Sequence, residues 1–258
     1  MQKDFPIFIS SADSYDDLWP VFFDFFKMNW PEFDGTIYLN TEEKEYKHEG
    51  LNIHCTQVGK LGSFGKVFRA GLDQLPSDHL LLIMIDYLLM GKVNDKDVYQ
   101  YYDFFLSSNL DSLCLVNLDF REVKPTNSEN IDIVCPPTPN MFSYQIAFWN
   151  KKILYQMALP HENPWTSEWY GTKRANKMNI KLGCLSKKVE MPIPYDQPGC
   201  VHTGKWLGNA IEYLQKMNYS VDFTKRGIYE DLPLTIKKRI KAKWMFVKDG
   251  LLGSYWKN

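Results

Sequence analysis

The chain has 258 residues, 45% of them hydrophobic and 15% aromatic, with a formal net charge of −1. This is enough apolar material for one large core or two small ones, and it excludes a disordered chain. Five cysteines, at positions 55, 114, 135, 184 and 200, form no CxxC pair and no short-spaced metal set, a scatter that fits a reducing compartment.

Phe5–Ser10 reads as a first strand, closed by the polar run Ser10 to Ser14. A helix is expected from about Tyr15, with Ser14 as its cap and Asp16 and Asp17 in its first turn. Gly35–Asn40 and Leu51–Thr56 read as the next strands, and the spacing indicates an α/β unit with a mostly parallel central sheet flanked by helices. A short helix over Gly65–Pro76 carries Lys66 and Arg69 away from an apolar stripe.

Leu80–Tyr87 then has the continuous apolar profile of a strand buried on both faces, with Asp86 at its carboxyl end. In an open parallel sheet that edge borders the ligand crevice, so Asp86 is a candidate for catalysis or for a metal. Asn94 is placed to cap a helix to about Asn109, and a strand follows within Asp111–Asp119. The loop Arg121–Pro139 holds one strand candidate, Ile131–Cys135.

Phe142–Trp149 reads as strand and Lys151–Met157 as a helix capped by Asn150. Asn163 and Pro164 mark another helix start, which sets Trp165 and Glu168 three residues apart on one face. An indole there can stack on a sugar while the carboxylate takes hydroxyl hydrogens; the plainer reading is a helix start whose Trp packs inward. Gly183–Pro194 supplies one or two further strands, and Val201–Trp206 leads into a helix over Leu207–Met217. His202 and Lys205 at that helix start are candidates for phosphate contact, and His202 also for a divalent metal, although no HxH or HxxxH partner accompanies it.

In the last segment, Thr235–Lys248, Ile236, Ile240, Trp244 and Val247 form one ridge among Lys and Arg residues. That pattern suits an interfacial helix on anionic lipid, and equally a helix docked on its own domain with its cations in water. Residues 1–150 hold 11 Lys or Arg against 22 Asp or Glu, whereas residues 151–258 hold 19 against 9. Opposite charge favours one compact body, with carboxylates from the first part and phosphate-neutralising cations from the second; a merely uneven solvated surface is the bland alternative. There is no internal repeat and no nucleic-acid motif, and no apolar run is long enough to span a bilayer. The expected location is the cytoplasm, with peripheral attachment at the inner membrane as the variant offered by the basic ridge.

In this order the motifs resemble nucleotide-sugar glycosyltransferases of the A-type fold, especially small bacterial enzymes that assemble capsule or lipopolysaccharide sugars. The resemblance rests on Phe8 to Tyr15, on Leu81 to Tyr87 after the Arg69 helix, on Asn163 to Glu168, and on Gly204-Lys205-Trp206. It implies a donor-binding half over 1–120, an acceptor-binding half over 121–220 and a basic helical segment over 221–258 of a single domain. It implies transfer of a sugar from a nucleoside diphosphate, UDP being the commonest class, to an oligosaccharide or lipid-linked glycan. Carried over, Ser11, Asp13 and Tyr15 lie near the nucleoside, Arg69 and Lys205 near the diphosphate, and Asp86 at the metal or donor sugar. If the transfer inverts, Glu168 becomes the acceptor base, with Asp86 as second choice; if it retains, no residue stands out as a covalent nucleophile. The family's metal would be Mn²⁺ or Mg²⁺. The usual Asp-x-Asp is reduced here to Asp86-Tyr87-Leu88 preceded by Ile85, a single carboxylate. A nucleotidyltransferase of sugar metabolism and a non-catalytic carbohydrate-binding or scaffolding protein are the alternatives.

Overall fold

The computed structural model describes residues 5–118, 121–138, 140–231 and 236–254, with side chains not described at 236–238 and 254. Asp119, Pro139 and Thr235, which end three of the expected segments, lie outside the described residues, as do the side chains of Ile236, Lys237 and Lys238.

The first strands are β1 (Ile7–Ser10), β2 (Thr36–Leu39), β3 (Asn52–Cys55) and β4 (His79–Met84). They are followed by β5 (Ser112–Cys114), β6 (Val123–Pro125), β7 (Ile131–Val134), β8 (Ala147–Asn150) and β9 (Leu182–Leu185). Together they form one nine-stranded sheet in the order β3-β2-β1-β4-β8-β5-β9-β7-β6. Successive side chains of a strand point to opposite faces, and the two cores divide accordingly. Ile7, Ile9, Leu81 and Ile83 face one apolar cluster, and Phe8, Leu80 and Leu82 face the other.

On the first face lie α1 (Trp19–Asn29), α3 (Asp95–Ser107) and α6 (Gly208–Lys216), which contribute Phe22, Phe26, Tyr102, Phe105 and Leu214 to the core. On the second lie α2 (Phe64–Asp73), α4 (Lys151–Met157) and α5 (Pro164–Lys177), through Phe68, Leu72, Leu154, Met157 and Ala175. The fold is thus α/β, with the central sheet flanked by helices.

The sheet is mixed and not mostly parallel. β1 pairs in parallel with β2 and β4, but β8 inserts between β4 and β5 and runs antiparallel to both, as β7 does to β9 and β6 to β7. The reason this escapes the sequence is physical. Phe148 packs into one cluster while Ala147 and Trp149 pack into the other, so an antiparallel strand covered on both faces shows the same unbroken apolar run as a parallel one.

Two local expectations also change. Ser14 sits inside a 3₁₀ turn, Asp13–Tyr15, and α1 begins only at Trp19, with no side-chain cap on Leu18. Of Gly183–Pro194, only its first three residues belong to a strand, β9, and β6 had no apolar pattern to announce it.

The start of α5 is fixed by several interactions at once. Asn163 and Thr166 form a reciprocal capping box with Pro164 in the first turn. Just ahead of it, the Glu162 carboxylate meets Arg174 at 2.7 and 2.8 Å, with both side chains almost fully buried. The Glu162 carbonyl accepts a 3.1 Å hydrogen bond from Gly65 N, which ties α5 to the first turn of α2. A Cβ at Gly65 would stand 1.9 Å from the Leu159 carbonyl oxygen, so the two backbones meet there only because residue 65 has no side chain.

Substituting Glu162→Gln leaves the Arg174 guanidinium buried without its counter-charge, which is expected to cost about 3–5 kcal/mol. Urea unfolding of parent and variant measures this. A difference below about 1 kcal/mol would show that the pair does not hold this junction.

Candidate active site

Because β1 and β4 are parallel neighbours in register Ile7 to Leu81 through Ser10 to Met84, their carboxyl ends open side by side. A cavity of about 240 Å³ lies there. Ser10, Ser11, Ala12 and Tyr15 line it from the exit of β1, Met84 to Tyr87 from the exit of β4, and Phe64 from the start of α2. Tyr144, Pro164, Trp165 and Glu168 close a further wall, and Pro198 with Val201–Gly204 the last.

Asp86 follows the end of β4 by two residues. Ile85 N still bonds Ser10 O at 3.1 Å and Tyr87 N turns back to Met84 O at 3.0 Å, so the carboxylate is presented by a tight turn and not by the strand itself. Its backbone oxygen accepts from Cys200 N at 2.7 Å. Gly199, at φ +83°, lies so close that a Cβ there would be 2.9 Å from Asp86 Oδ2. Enclosure by protein pushes the Asp86 carboxyl up to about 7, with its own backbone N–H a partial offset.

Glu168 faces the same cavity from α5. Tyr144 N donates to its Oε1 at 2.8 Å, and burial raises its pKa against the opposing effects of that bond and of Arg121. Trp165 lies one turn away and is half exposed, so its indole faces the cavity instead of packing inward. Tyr87, the next lining residue after Asp86, is held by Gln145, whose Nε2 donates to the phenol oxygen at 2.8 Å while Tyr195 OH donates to Gln145 Oε1 at 2.6 Å.

The remaining wall depends on Arg226, which the sequence reading missed. It follows the 3₁₀ turn Phe223–Lys225 and reaches 209 residues back to Asp17, with Nε at 2.7 Å from Oδ2 and a second bond from Nη2. The same guanidinium bonds Ser14 O at 2.9 Å and Gly204 O at 3.4 Å, and it stacks 4.8 Å from the centre of the Tyr15 ring. Arg226 therefore joins the exit of β1 to the tip of the hairpin formed by β10 (Val201–His202) and β11 (Lys205–Trp206). That tip is Thr203-Gly204, both at positive φ (50° and 81°), the geometry of a two-residue hairpin turn.

The structure gathers Ser11, Tyr15, Asp86, Glu168 and His202 around one cavity and leaves three expected residues outside it. Both carboxylate oxygens of Asp13 are engaged by the backbone amides of Glu42, Glu43 and Lys44 at 2.8 to 3.1 Å, so Asp13 pins the loop after β2 and does not point to a ligand. Arg69 donates to the carbonyls of Tyr155 and Ala158 and stacks 3.6 Å from the Tyr155 ring centre, in a separate depression between α2 and α4. Lys205 is exposed on β11, beyond the turn residues that line the cavity.

As a metal site the residues do not fit. Asp86, Glu168 and His202 line one cavity, yet among the described residues no three His, Cys, Asp or Glu side chains converge as metal donors. Mg²⁺ and Mn²⁺ take about six oxygen ligands, which a single carboxylate at the end of β4 does not begin to supply.

Among solved structures, the chain is similar to residues 1–349 of TarS from S. aureus, at 14% identity over 72% of this chain and 59% of that one, with a TM-score of 0.47. A longer TarS structure gives 15% identity, 72% and 36% coverage and a TM-score of 0.46. The bifunctional IspDF from Campylobacter jejuni gives 10% identity, 76% and 52% coverage and a TM-score of 0.38. The chain spans between 36% and 59% of the length of these proteins, and likeness at this level assigns neither a family nor an activity. No protein-family model matches the chain, and no curated protein matches its sequence.

The raised pKa of Asp86 has a consequence for stability. Between its ordinary value of 3.8 and about 7 the folded protein keeps a proton that the unfolded chain has released, so stability falls as pH rises through that window. Asp86→Asn removes this dependence and is expected to be more stable than the parent at pH 8 by ~2–4 kcal/mol. Denaturant midpoints of both proteins from pH 4 to 8 measure it; parallel curves would mean that Asp86 ionises normally.

Proposed function

We propose that this chain is a glycosyltransferase, broadly of the A-type fold, that moves a sugar from a nucleoside diphosphate, UDP being the expected nucleotide, to a hydroxyl of a glycan. The observation that supports this reading most is the meeting of two separately held, desolvated carboxylates, Asp86 and Glu168, with a half-exposed indole in a cavity at the carboxyl edge of the sheet.

In this reading the nucleoside lies along Ser11 and Tyr15. The diphosphate reaches the Thr203-Gly204 tip, which offers a hydroxyl and backbone amides. Among the described lining residues there is no Lys or Arg, so Arg226 acts on this region only through Tyr15 and Gly204. Trp165 stacks on the acceptor sugar and excludes water. Glu168, its carboxylate made more basic by burial, takes the proton of the acceptor hydroxyl as that oxygen attacks the anomeric carbon. The bond from the anomeric carbon to the diphosphate oxygen breaks, and its electron pair leaves with the nucleoside diphosphate. Asp86, near half protonation at neutral pH, is suited to exchange hydrogen bonds with donor-sugar hydroxyls. No step is assigned to a metal.

Glu168→Gln keeps the shape of the side chain and removes the basic oxygen. Transfer at saturating donor is expected to fall by roughly 10²–10⁴, while donor affinity by calorimetry stays near that of the parent. Transfer within about threefold of the parent would exclude Glu168 as the base, and a loss of donor affinity would move it to the donor side.

A further inference from the structure

The helix α7 (Ile236–Asp249) docks on the protein with the face opposite to its apolar ridge. Its contacts run to α5: Tyr170 OH donates to Phe246 O at 2.6 Å, Thr166 Oγ1 to Asp249 Oδ2 at 2.6 Å, and the Trp169 and Phe246 rings meet at 6.0 Å. At 3.6 residues per turn, Phe246 and Asp249 lie on the far side of the helix from Ile240, Trp244 and Val247, which share an arc of about 60°. Those three are each more than half exposed, as are Leu251 and Leu252 just beyond the helix. A surface helix ordinarily turns its apolar stripe inward. Here the stripe is turned outward.

The stripe has a charged border. Arg239, Lys241, Lys243 and Lys248 are exposed, and the helical spacing puts cations on both sides of the ridge. Asp249 is the one acid in the helix, and its carboxylate faces Thr166 in the docked interface. Long cationic side chains beside an apolar ridge can lay their stems along hydrocarbon and keep their heads at phosphate level. A second copy of the chain is a poor occupant, because a self-complementary contact through this face would bring the like-charged borders together with no acid between them. Nor does the helix cross a bilayer: among the described residues no helix is long and apolar enough.

We infer that the outward face of α7, centred on Ile240, Trp244 and Val247, is a docking surface for an anionic lipid bilayer, on which the helix lies parallel to the membrane plane. The side of α5 that carries Thr166, Trp169 and Tyr170 holds α7, and its neighbouring side carries Trp165 and Glu168 into the cavity, so docking brings the acceptor wall close to the lipid surface. The surface is argued from α7 alone; only its purpose, presenting a lipid-linked acceptor, rests on the glycosyltransferase reading.

The test uses the full chain sedimented with vesicles of phosphatidylcholine alone or with about a third phosphatidylglycerol, at low and high salt. The parent is expected to pellet with the anionic vesicles, to be released as salt rises, and to stay in solution with the neutral ones. Trp244→Glu places a charge on an exposed position and is expected to lower retention about tenfold or more, with the parent's melting temperature unchanged. Ile240→Glu is the second variant should Trp244→Glu melt early, and Lys241→Gln with Lys243→Gln and Lys248→Gln is expected to flatten the salt dependence. Equal retention of parent and ridge variants, equal retention on neutral and anionic vesicles, or a dimer that the ridge variants abolish without any vesicle binding by the parent would each overturn the proposal. Nucleoside diphosphate binding, measured separately without lipid, reports on the glycosyltransferase reading, so the two fail independently.

Discussion

The buried pair between Glu162 and Arg174 is the interaction on which the cavity depends. It lies at a junction of α2, α4 and α5: Arg174 satisfies Glu162 and also bonds Met157 O at the end of α4, while the Glu162 backbone receives Gly65 N from α2. Phe64 and the Trp165–Glu168 pair reach the cavity from helices whose first turns are locked together at this point. Buried ions are stabilising only while fully paired, so the junction tolerates little variation, and the position of Glu168 inherits that rigidity. At the wall formed by Tyr15 and Gly204 the Arg226 clamp plays the corresponding part, holding both through one guanidinium.

Between these two fixed walls the electrostatics are unusual. The charge pattern along the sequence suggests carboxylates facing cations across a crevice, but the cations of the second half are spent elsewhere. Arg174 is consumed inside the protein, Arg226 is occupied by Asp17, and Arg239, Lys241, Lys243 and Lys248 of α7 are exposed to solvent. The carboxylates at the end of β4 and on α5 face a cavity with no Lys or Arg among its described lining residues, and burial raises the pKa of both, offset at Glu168 by the Tyr144 amide and by Arg121. That arrangement suits proton exchange with hydroxyls, and it gives the cavity its polar character without a protein-built metal centre.

Much of this was legible in the residues, and the failures share a cause. Local signals carried well: the continuous run at Leu80 to Ile85 marked the central strand, Asn94, Asn150 and Asn163 marked helix starts, and the apolar spacing of Ile240, Trp244 and Val247 marked a ridge. Strand direction was not legible, because burial on both faces erases the alternation that would have distinguished β8. Nor were partnerships across the chain. Asp13 was drawn to the amides of residues 42–44, Arg69 to carbonyls 86 and 89 residues away, and Arg226 to Asp17, and none of these leaves a mark at the position itself. The side of α7 that packs inward was equally hidden, since Phe246 and Asp249 dock the helix through a ring contact, a backbone carbonyl and a hydroxyl bond in place of an apolar stripe.

Whether the cavity between β1, β4 and α5 receives a nucleoside diphosphate, as proposed, is decided by titration calorimetry of the parent protein against UDP, GDP and the corresponding nucleosides. A saturable one-to-one heat with UDP is expected, with much weaker binding of uridine, and with loss of the UDP signal when Ala12→Trp fills the β1 side of the cavity in a protein that still melts like the parent. Equal and negligible heats for every nucleotide, or UDP binding that the filled cavity leaves unchanged, would contradict it.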